Sequence, residues 1–233
     1  MVNPMLDTDF DLIILKQDWQ DLKLGYKAQQ ALAALEATHT SDHLYVITLN
    51  EIEQYDWDKQ TLTLTQVATQ GLGQALISQG RLKDDNIQAL VDLKKSLGWG
   101  NPIERALYTK AFVVKVENEF LYGGIFLDAV SQMAIDYPVA RIFLQDGQAV
   151  ISLLPCHIPF VMTDPVNASG QARDLTITPE AREDVRQLNQ ADGFLTKWIL
   201  GLATSDRANR LRQQMRDVRL YALLETSGKL KSA

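Results

Sequence analysis

The chain has 233 residues, of which 46% are hydrophobic and 22% are charged, and its formal net charge is −6. This composition is typical of globular proteins, and a chain of this length can bury a core that needs no disulfide or metal ion to fold. Its one cysteine excludes an internal disulfide, and no stretch approaches the roughly 20 apolar residues of a membrane helix. The N-terminus lacks a basic region followed by an apolar run, so we expect a cytoplasmic protein.

The acidic excess lies in the first part of the chain. Residues 1–100 contain 8 basic and 14 acidic side chains, which accounts for the whole net charge. Because proteins bind nucleic acid by neutralising its phosphates, this distribution argues against a nucleic acid as the partner.

The first predicted elements are a strand and a helix. The apolar run from Phe10 to Leu15 predicts a buried strand, and Asp18 after it is a candidate helix N-cap. The helix is expected to bury a set of apolar residues at helical spacing: Leu24, Ala28, Ala31, Leu32 and Leu35. A loop over residues 37–42 then leads to a strand over residues 44–49.

A second strand and two helices complete the first hundred residues. Residues 61–65 alternate strictly and predict a strand with both leucines on one face, whereas residues 51–58 suit either a helical turn or part of a ribbon. Thr65 is a candidate N-cap for a helix in which Gly71 and Gly73 allow close packing, and a further helix is expected to end at Gly98. The segment from Gly98 to Pro102 is the best candidate boundary, so the chain divides into residues 1–100 and 101–233 or forms one continuous domain.

The middle of the chain predicts two consecutive β-hairpins. Strands over residues 111–116 and 120–127 are joined by a turn at Asn118, and strands over residues 139–144 and 149–154 are joined by Asp146-Gly147, a strong signal for a tight turn. The paired glycines Gly123 and Gly124 predict a bulge or a close backbone approach within a strand. The fold class is therefore α+β, with an antiparallel sheet covered by helices and a helical C-terminal region.

The last predicted helix carries an arginine flank. Its expected apolar stripe contains four residues: Leu211, Met215, Val218 and Ala222. At about 100° per residue, Arg212, Arg216 and Arg219 lie along one side of that stripe with no acidic neighbour at helical spacing on their own side. They are candidates for binding phosphates or an acidic partner, and the alternative is a solvated or ion-paired flank.

Two other groups are candidate chemical sites. Cys156 and His157 are types used in nucleophilic catalysis, but neighbours in an extended segment point to opposite faces, so the structural alternative is a buried cysteine beside a half-buried histidine. His39, Asp42 and His43 suggest metal ligation, although the sequence between them favours a loop and lacks the context of a zinc site. A calcium loop at residues 7–18 is rejected for want of its glycine and glutamate, and no cofactor is predicted.

Tyr55 and Trp57 lie among acidic residues and are candidates for a recognition surface, or for packing at the edge of the core. Three functions remain open. The first is a binding or regulatory protein that acts on another macromolecule, expected to be a protein, through Tyr55, Trp57 and the arginine flank. The second is an enzyme with dispersed residues, using Cys156 or His157. The third is a nucleic-acid-associated protein that uses the arginine flank.

Overall fold

The computed structural model describes residues 10–25, 28–82, 102–128, 131, 133, 135–157 and 213–231. Eight strands run in chain order as β1 (Phe10–Asp18), β2 (His43–Thr48), β3 (Ile52–Asp56), β4 (Thr61–Leu64), β5 (Lys110–Val116), β6 (Glu119–Phe126), β7 (Val139–Gln145) and β8 (Gln148–Leu154). The described helices are α1 (Ala28–Glu36), α2 (Gln66–Ser78), α3 (Pro102–Leu107) and α4 (Val218–Thr226). A 3₁₀ turn at Leu49–Glu51 precedes β3.

All eight strands form one sheet in the order β2-β1-β5-β6-β7-β8-β4-β3. Every neighbouring pair is antiparallel except β6 and β7, which run parallel through Ile125 opposite Val139 and Phe126 opposite Ala140. The α+β class predicted from the sequence is confirmed, and both predicted hairpins are present. The four strands of residues 101–233 form the middle of this sheet and those of residues 1–100 lie on both sides, since β1 pairs with β5 and β4 pairs with β8.

The sheet has an apolar core on each face. Leu12 and Ile14 of β1 belong to one core, and Ile13 and Leu15 belong to the other, because successive side chains of a strand point to opposite faces. Helices α2, α3 and α4 contribute to the first core, whereas α1 contributes to the second. No described helix is long and apolar enough to cross a membrane.

Both predicted hairpin turns have the backbone conformation that their residues favour. Asp146 and Gly147 have φ values of 52° and 82°, and Glu117 and Asn118 have φ values of 52° and 64°. Positive φ at both central positions matches the twist of the flanking strands, which is why Asp-Gly and Asn are favoured there. The turn chemistry predicted from the sequence is therefore confirmed.

Gly124 lies where two backbones come too close for any side chain. A Cβ atom built on it would fall 1.8 Å from the carbonyl oxygen of Pro138. This contact lies beside the parallel junction of β6 and β7, so the predicted close approach is confirmed and is made to the protein's own backbone. In α2, a Cβ atom on Gly71 would lie 2.6 Å from Tyr45 Oη, so this glycine makes room for a side chain of β2 and not, as predicted, for a neighbouring helix.

Three predicted helical features differ from the structure. Asp18 does not cap α1: its carboxylate accepts from the backbone N–H groups of Gln20 and Asp21 in a separate turn, and α1 begins only at Ala28. The last helix is interrupted at Arg216, and α4 starts anew with Asp217 as its N-cap. This break changes the helical phase, so Val218 is 77% exposed and Leu220 and Leu224 are buried instead.

The remaining predicted helices lie outside the described residues. They are the helix expected to end at Gly98 and, within the helical C-terminal region, the helix start that Thr178 as N-cap and Pro179 at the first helical position predict. Leu211 and Arg212 of the last predicted helix also lie outside the described residues. In the described part, Thr65 caps α2 as predicted, because its side chain accepts from the N–H group of Ala68.

Candidate functional site

The C-terminal residues lie against the edge of the sheet at β3. The backbone N–H of Tyr55 donates to the Lys229 carbonyl at 2.8 Å, and the N–H of Lys231 donates to the Tyr55 carbonyl at 2.9 Å. This parallel bridge fixes α4 beside the turn that follows β3. The segment that contains Tyr55 and Trp57 therefore lies beside the arginine-bearing C-terminal segment, although the two were separate candidates in the sequence.

The aromatic residues at this position have different roles. Tyr55 is 0% exposed and donates its hydroxyl to Gln60 Oε1 at 3.2 Å, so it packs in the core, as the alternative interpretation of its sequence expected. Trp57 is half-buried, and its ring meets that of Tyr221 edge to face with the centroids 5.1 Å apart. Tyr221 is 37% exposed. The outer surface therefore carries Trp57 and Tyr221, and Tyr221 was missed in the sequence.

The predicted arginine flank is not a uniform row. Arg219 bonds Asp217 at 3.1 Å and Glu119 at 2.6 Å, and it lies 3.7 Å from Glu117. No acidic residue lies at helical spacing from Arg219, but the break in the helix places Asp217 at the N-cap of α4 and β6 supplies a further carboxylate, so Arg219 is ion-paired, which was the alternative to a free flank. These carboxylates raise the pKa of Arg219.

Arg216 has a different environment. It is exposed, and its Nη2 donates to the backbone carbonyl of Asp58 at 2.9 Å. A guanidinium has five donors, so this bond fixes the group and leaves donors for a partner. Arg216 thereby lies in the same region as Trp57 and Tyr221, and we name these three residues the C-terminal surface.

Charges around the C-terminal surface are mixed, with an excess of cations. Lys59 and Lys231 flank Asp56, at 3.7 Å and 3.5 Å from its carboxylate. Together with Arg216 and Asp58, these residues carry one net positive charge in a protein whose total charge is −6. These five residues therefore carry a slight excess of positive charge in a protein that is acidic as a whole.

A second group of polar residues is buried where β7 begins and β8 ends. His157 exchanges two backbone hydrogen bonds with Ile135, at 2.9 Å and 3.0 Å, and the residue is 1% exposed. His157 Nδ1 lies 2.9 Å from Arg141 Nη2, and Nε2 lies 3.1 Å from the Ser131 carbonyl. We name Asp128, Ser131, Arg141 and His157 the His157–Arg141 cluster.

The partners of His157 determine its tautomer. A guanidinium only donates, so Nδ1 must accept, and a carbonyl only accepts, so Nε2 must carry the proton. Burial lowers the pKa of His157 to about 4, with the Arg141 charge acting in the same direction and the bond to Ser131 opposing it. The ring is therefore neutral at physiological pH and holds Arg141 in place without repelling it.

Two atoms of the cluster are buried and unsatisfied. Arg141 Nε and Asp128 Oδ1 each have no hydrogen-bond partner among the described residues. Burial lowers the pKa of Arg141, whereas the charges of Glu104 and Asp128 raise it. A buried donor and a buried acceptor of the cluster thus have no hydrogen-bond partner in the part of the chain that the structure describes.

His157 was a candidate from the sequence, whereas Arg141 and Asp128 were not predicted. A signal for Arg141 was present, because it is the one charged residue within the apolar strand run Val139–Leu144. Nothing in the sequence indicated that it would meet His157. Cys156 is half-buried, and both ring nitrogens of His157 are engaged with other groups, so the ring is not arranged to activate the thiol.

The predicted metal candidates make other contacts. Asp42 pairs with Lys16 at 2.7 Å, and His43 Nδ1 lies 3.0 Å from the carbonyl oxygen of Thr40. Within the described ranges, no group of three His, Cys, Asp or Glu side chains is arranged to hold a metal ion.

Comparison of the chain with protein-family models, with curated proteins and with solved structures finds no match.

Proposed function

We propose that this chain is a binding protein that docks another protein through the C-terminal surface. The observation that carries the proposal is the edge-to-face pair of half-buried Trp57 and exposed Tyr221, with Arg216 bound to the backbone of the residue after Trp57. Tryptophan, tyrosine and arginine are the residues most enriched at the energetic centres of protein interfaces.

The rigidity of these side chains favours binding. The Trp57 ring contacts Tyr221 on one side and lies 6.0 Å from buried Tyr55. Arg216 is tied to the backbone at Asp58. Side chains already fixed in the free protein lose little conformational entropy when a partner binds, so more of the contact energy contributes to affinity.

The charges indicate the chemistry of the partner. Arg216 is bound to the backbone of Asp58, next to Trp57 in the chain, and Lys59 and Lys231 lie 3.7 Å and 3.5 Å from the carboxylate of Asp56, on the other side of Trp57 in the sequence. A complementary partner presents an apolar side chain to the rings and a carboxylate to Arg216. A protein segment with an acidic residue beside an apolar one fits this surface.

Quantitative affinity capture from a lysate of the source organism tests the proposal. The wild type is compared with Tyr221→Ala and Arg216→Gln. Two matched controls lie outside the surface: Val67→Ala removes a 78% exposed apolar side chain from α2, and Lys16→Gln removes a partly exposed cation from β1. We expect that some captured proteins are lost with both test variants and retained with both controls.

The protein and a partner identified in this way are then purified, and their binding affinity is measured. Arg216→Gln should weaken binding by about tenfold or more and should reduce its dependence on salt. Equal capture by all variants would contradict the proposal, as would capture that disappears after nuclease treatment, which would assign the surface to nucleic acid.

A further inference from the structure

The outer face of α4 is apolar although it lies in solvent. Val218 is 77% exposed, Tyr221 is 37% exposed, and Ala222 is exposed as well. At about 100° per residue, these three side chains lie within one sector of about 100° around the helix, well away from buried Leu220 and Leu224. One apolar face of α4 therefore packs in the core, and a second apolar face is open to solvent.

This outer face is continuous with the C-terminal surface. The ring of Tyr221 meets that of Trp57 with the centroids 5.1 Å apart. Arg216 precedes the N-cap of α4 and is bound to the backbone carbonyl of Asp58, the residue after Trp57. The aromatic pair thus joins the outer face of α4 to the region of the exposed guanidinium.

Glu225 places a carboxylate at the other end of the same face. It lies one turn after Tyr221 and is exposed, and its side chain has no ion pair in the part of the chain that the structure describes. Arg216 is likewise bonded to a carbonyl and to no carboxylate of the described residues. Arg219 lies on another side of the helix and is already paired with carboxylates. The face therefore has a free cation before its N-terminal end and a free anion near its C-terminal end.

A face with opposite charges at its two ends is complementary to a second copy of itself. When two copies of α4 pack antiparallel about a two-fold axis, the N-terminal end of one helix lies beside the C-terminal end of the other. Tyr221 lies five positions after Arg216 and four before Glu225, so an axis near Tyr221 brings each guanidinium to the carboxylate of the other copy. This arrangement also places helix ends of opposite partial charge together.

We infer that the chain associates with a second copy of itself through the outer face of α4, with Arg216 of each copy bound to Glu225 of the other. The inference rests on the proposed function and names its partner, since the second copy supplies both the apolar side chain and the carboxylate that the C-terminal surface requires. A helix of nine residues with its neighbours buries less than the roughly 1,200 Å² of a standard interface, so the dimer is weak and reversible.

Sedimentation equilibrium of the full chain, from about 1 μM to about 1 mM, measures this association. We expect a monomer–dimer equilibrium in the wild type. Glu225→Arg and Arg216→Glu should each weaken it by about tenfold or more, because each change places like charges opposite each other twice in the symmetric dimer. Glu36→Arg is the matched control, because it reverses an exposed carboxylate at the last residue of another helix, α1, and it should associate like the wild type.

Mixing the two charge-reversed variants gives the sharper test. In a mixed dimer of Glu225→Arg with Arg216→Glu, both contacts again join opposite charges. The equimolar mixture should therefore recover most of the wild-type association, although each variant alone does not associate. Thermal melts identify a variant that fails to fold, and if Arg216→Glu does so through the loss of its bond to Asp58, Glu225→Arg still decides the assignment.

Three outcomes would overturn the inference. They are a wild type that stays monomeric over the whole range, association that Glu225→Arg leaves unchanged, and a mixture that associates no better than its components. None of these outcomes contradicts the proposed function, because affinity capture with Tyr221→Ala and Arg216→Gln tests the docking of other proteins without involving Glu225.

Discussion

At the scale of single residues, the structure separates what local chemistry determines from what tertiary contacts determine. Thr65 caps α2 and Asp146-Gly147 makes the tight turn, because each depends on backbone groups within a few residues. Arg141 and His157 meet across 16 residues of sequence, and Trp57 meets Tyr221 across a far greater separation. One sequence gives no measure of such distant proximity, so neither contact could be predicted.

Buried, neutral His157 makes stability depend on pH. Its pKa of about 4 lies below the ordinary value of 6.5, so between these values the unfolded chain binds a proton that the folded protein does not. The free energy of unfolding should therefore rise with pH over this window, and His157 should contribute a difference of about 3 kcal/mol.

Chemical denaturation at pH 6.5, 5.5 and 4.5 measures this effect. His157→Gln should flatten the dependence on pH, because glutamine is neutral throughout and preserves both hydrogen bonds. Other groups titrate equally in both proteins, so the difference between the two curves isolates His157. Parallel curves would show that the ring is protonated in the folded protein.

Gly124 and Gly71 both lie in close contacts, but an added Cβ atom would meet the backbone at Gly124 and a side chain at Gly71. Gly124→Ala forces a Cβ atom against the backbone of Pro138, which cannot move without breaking the parallel junction, and should cost about 3 kcal/mol or more. Gly71→Ala meets only the end of the Tyr45 side chain, and alanine also favours the helix by about 1 kcal/mol. Equal losses in thermal melts would mean that the sheet adapts at Gly124.

At the scale of elements, strands were predicted better than the last helix. Strand alternation and turn residues are local signals, and all the strands expected from the sequence are present. The arginine-bearing segment follows one apolar stripe only if the helix is continuous. Asp217 interrupts it by capping a new helix, α4. As a result, Leu220 and Leu224 of α4 face the core, and Val218 of the predicted stripe faces solvent.

The phase of α4 is directly testable. Leu220→Ala should destabilise the protein by about 2–5 kcal/mol, because Leu220 is fully buried in the first core. Val218→Ala should change the free energy of unfolding by about 0.5 kcal/mol or less, since this side chain is exposed. A continuous helix with the predicted stripe would reverse the order of the two losses in denaturant titrations.

At the scale of the whole molecule, the strand order links the two parts of the chain. β1 lies between β2 and β5, and β4 lies between β3 and β8. The class of the fold could be predicted because it depends on counting strands and helices. The order of the strands could not be predicted, because it depends on pairings between residues far apart.

Because residues 1–100 supply the strands on both sides of the central four, we expect that neither part folds alone. Residues 1–100 by themselves would expose the edge of β1 that pairs with β5 and the edge of β4 that pairs with β8. We expect the isolated fragments 1–100 and 101–233 to lack a cooperative thermal transition by circular dichroism, and the two mixed together to recover one. A cooperative transition in either fragment alone would show that it is an independent domain.

The pairing of β1 with β5 also has a consequence during synthesis. Phe10 pairs with Val116, so β1 leaves the ribosome about 100 residues before its central partner exists. At about 5–20 residues per second, this apolar strand waits roughly 5–20 seconds with that edge unpaired. During this interval a nascent chain is open to chaperones and to pairing with other chains, so its yield in the cell should depend on the speed of translation between β2 and β5.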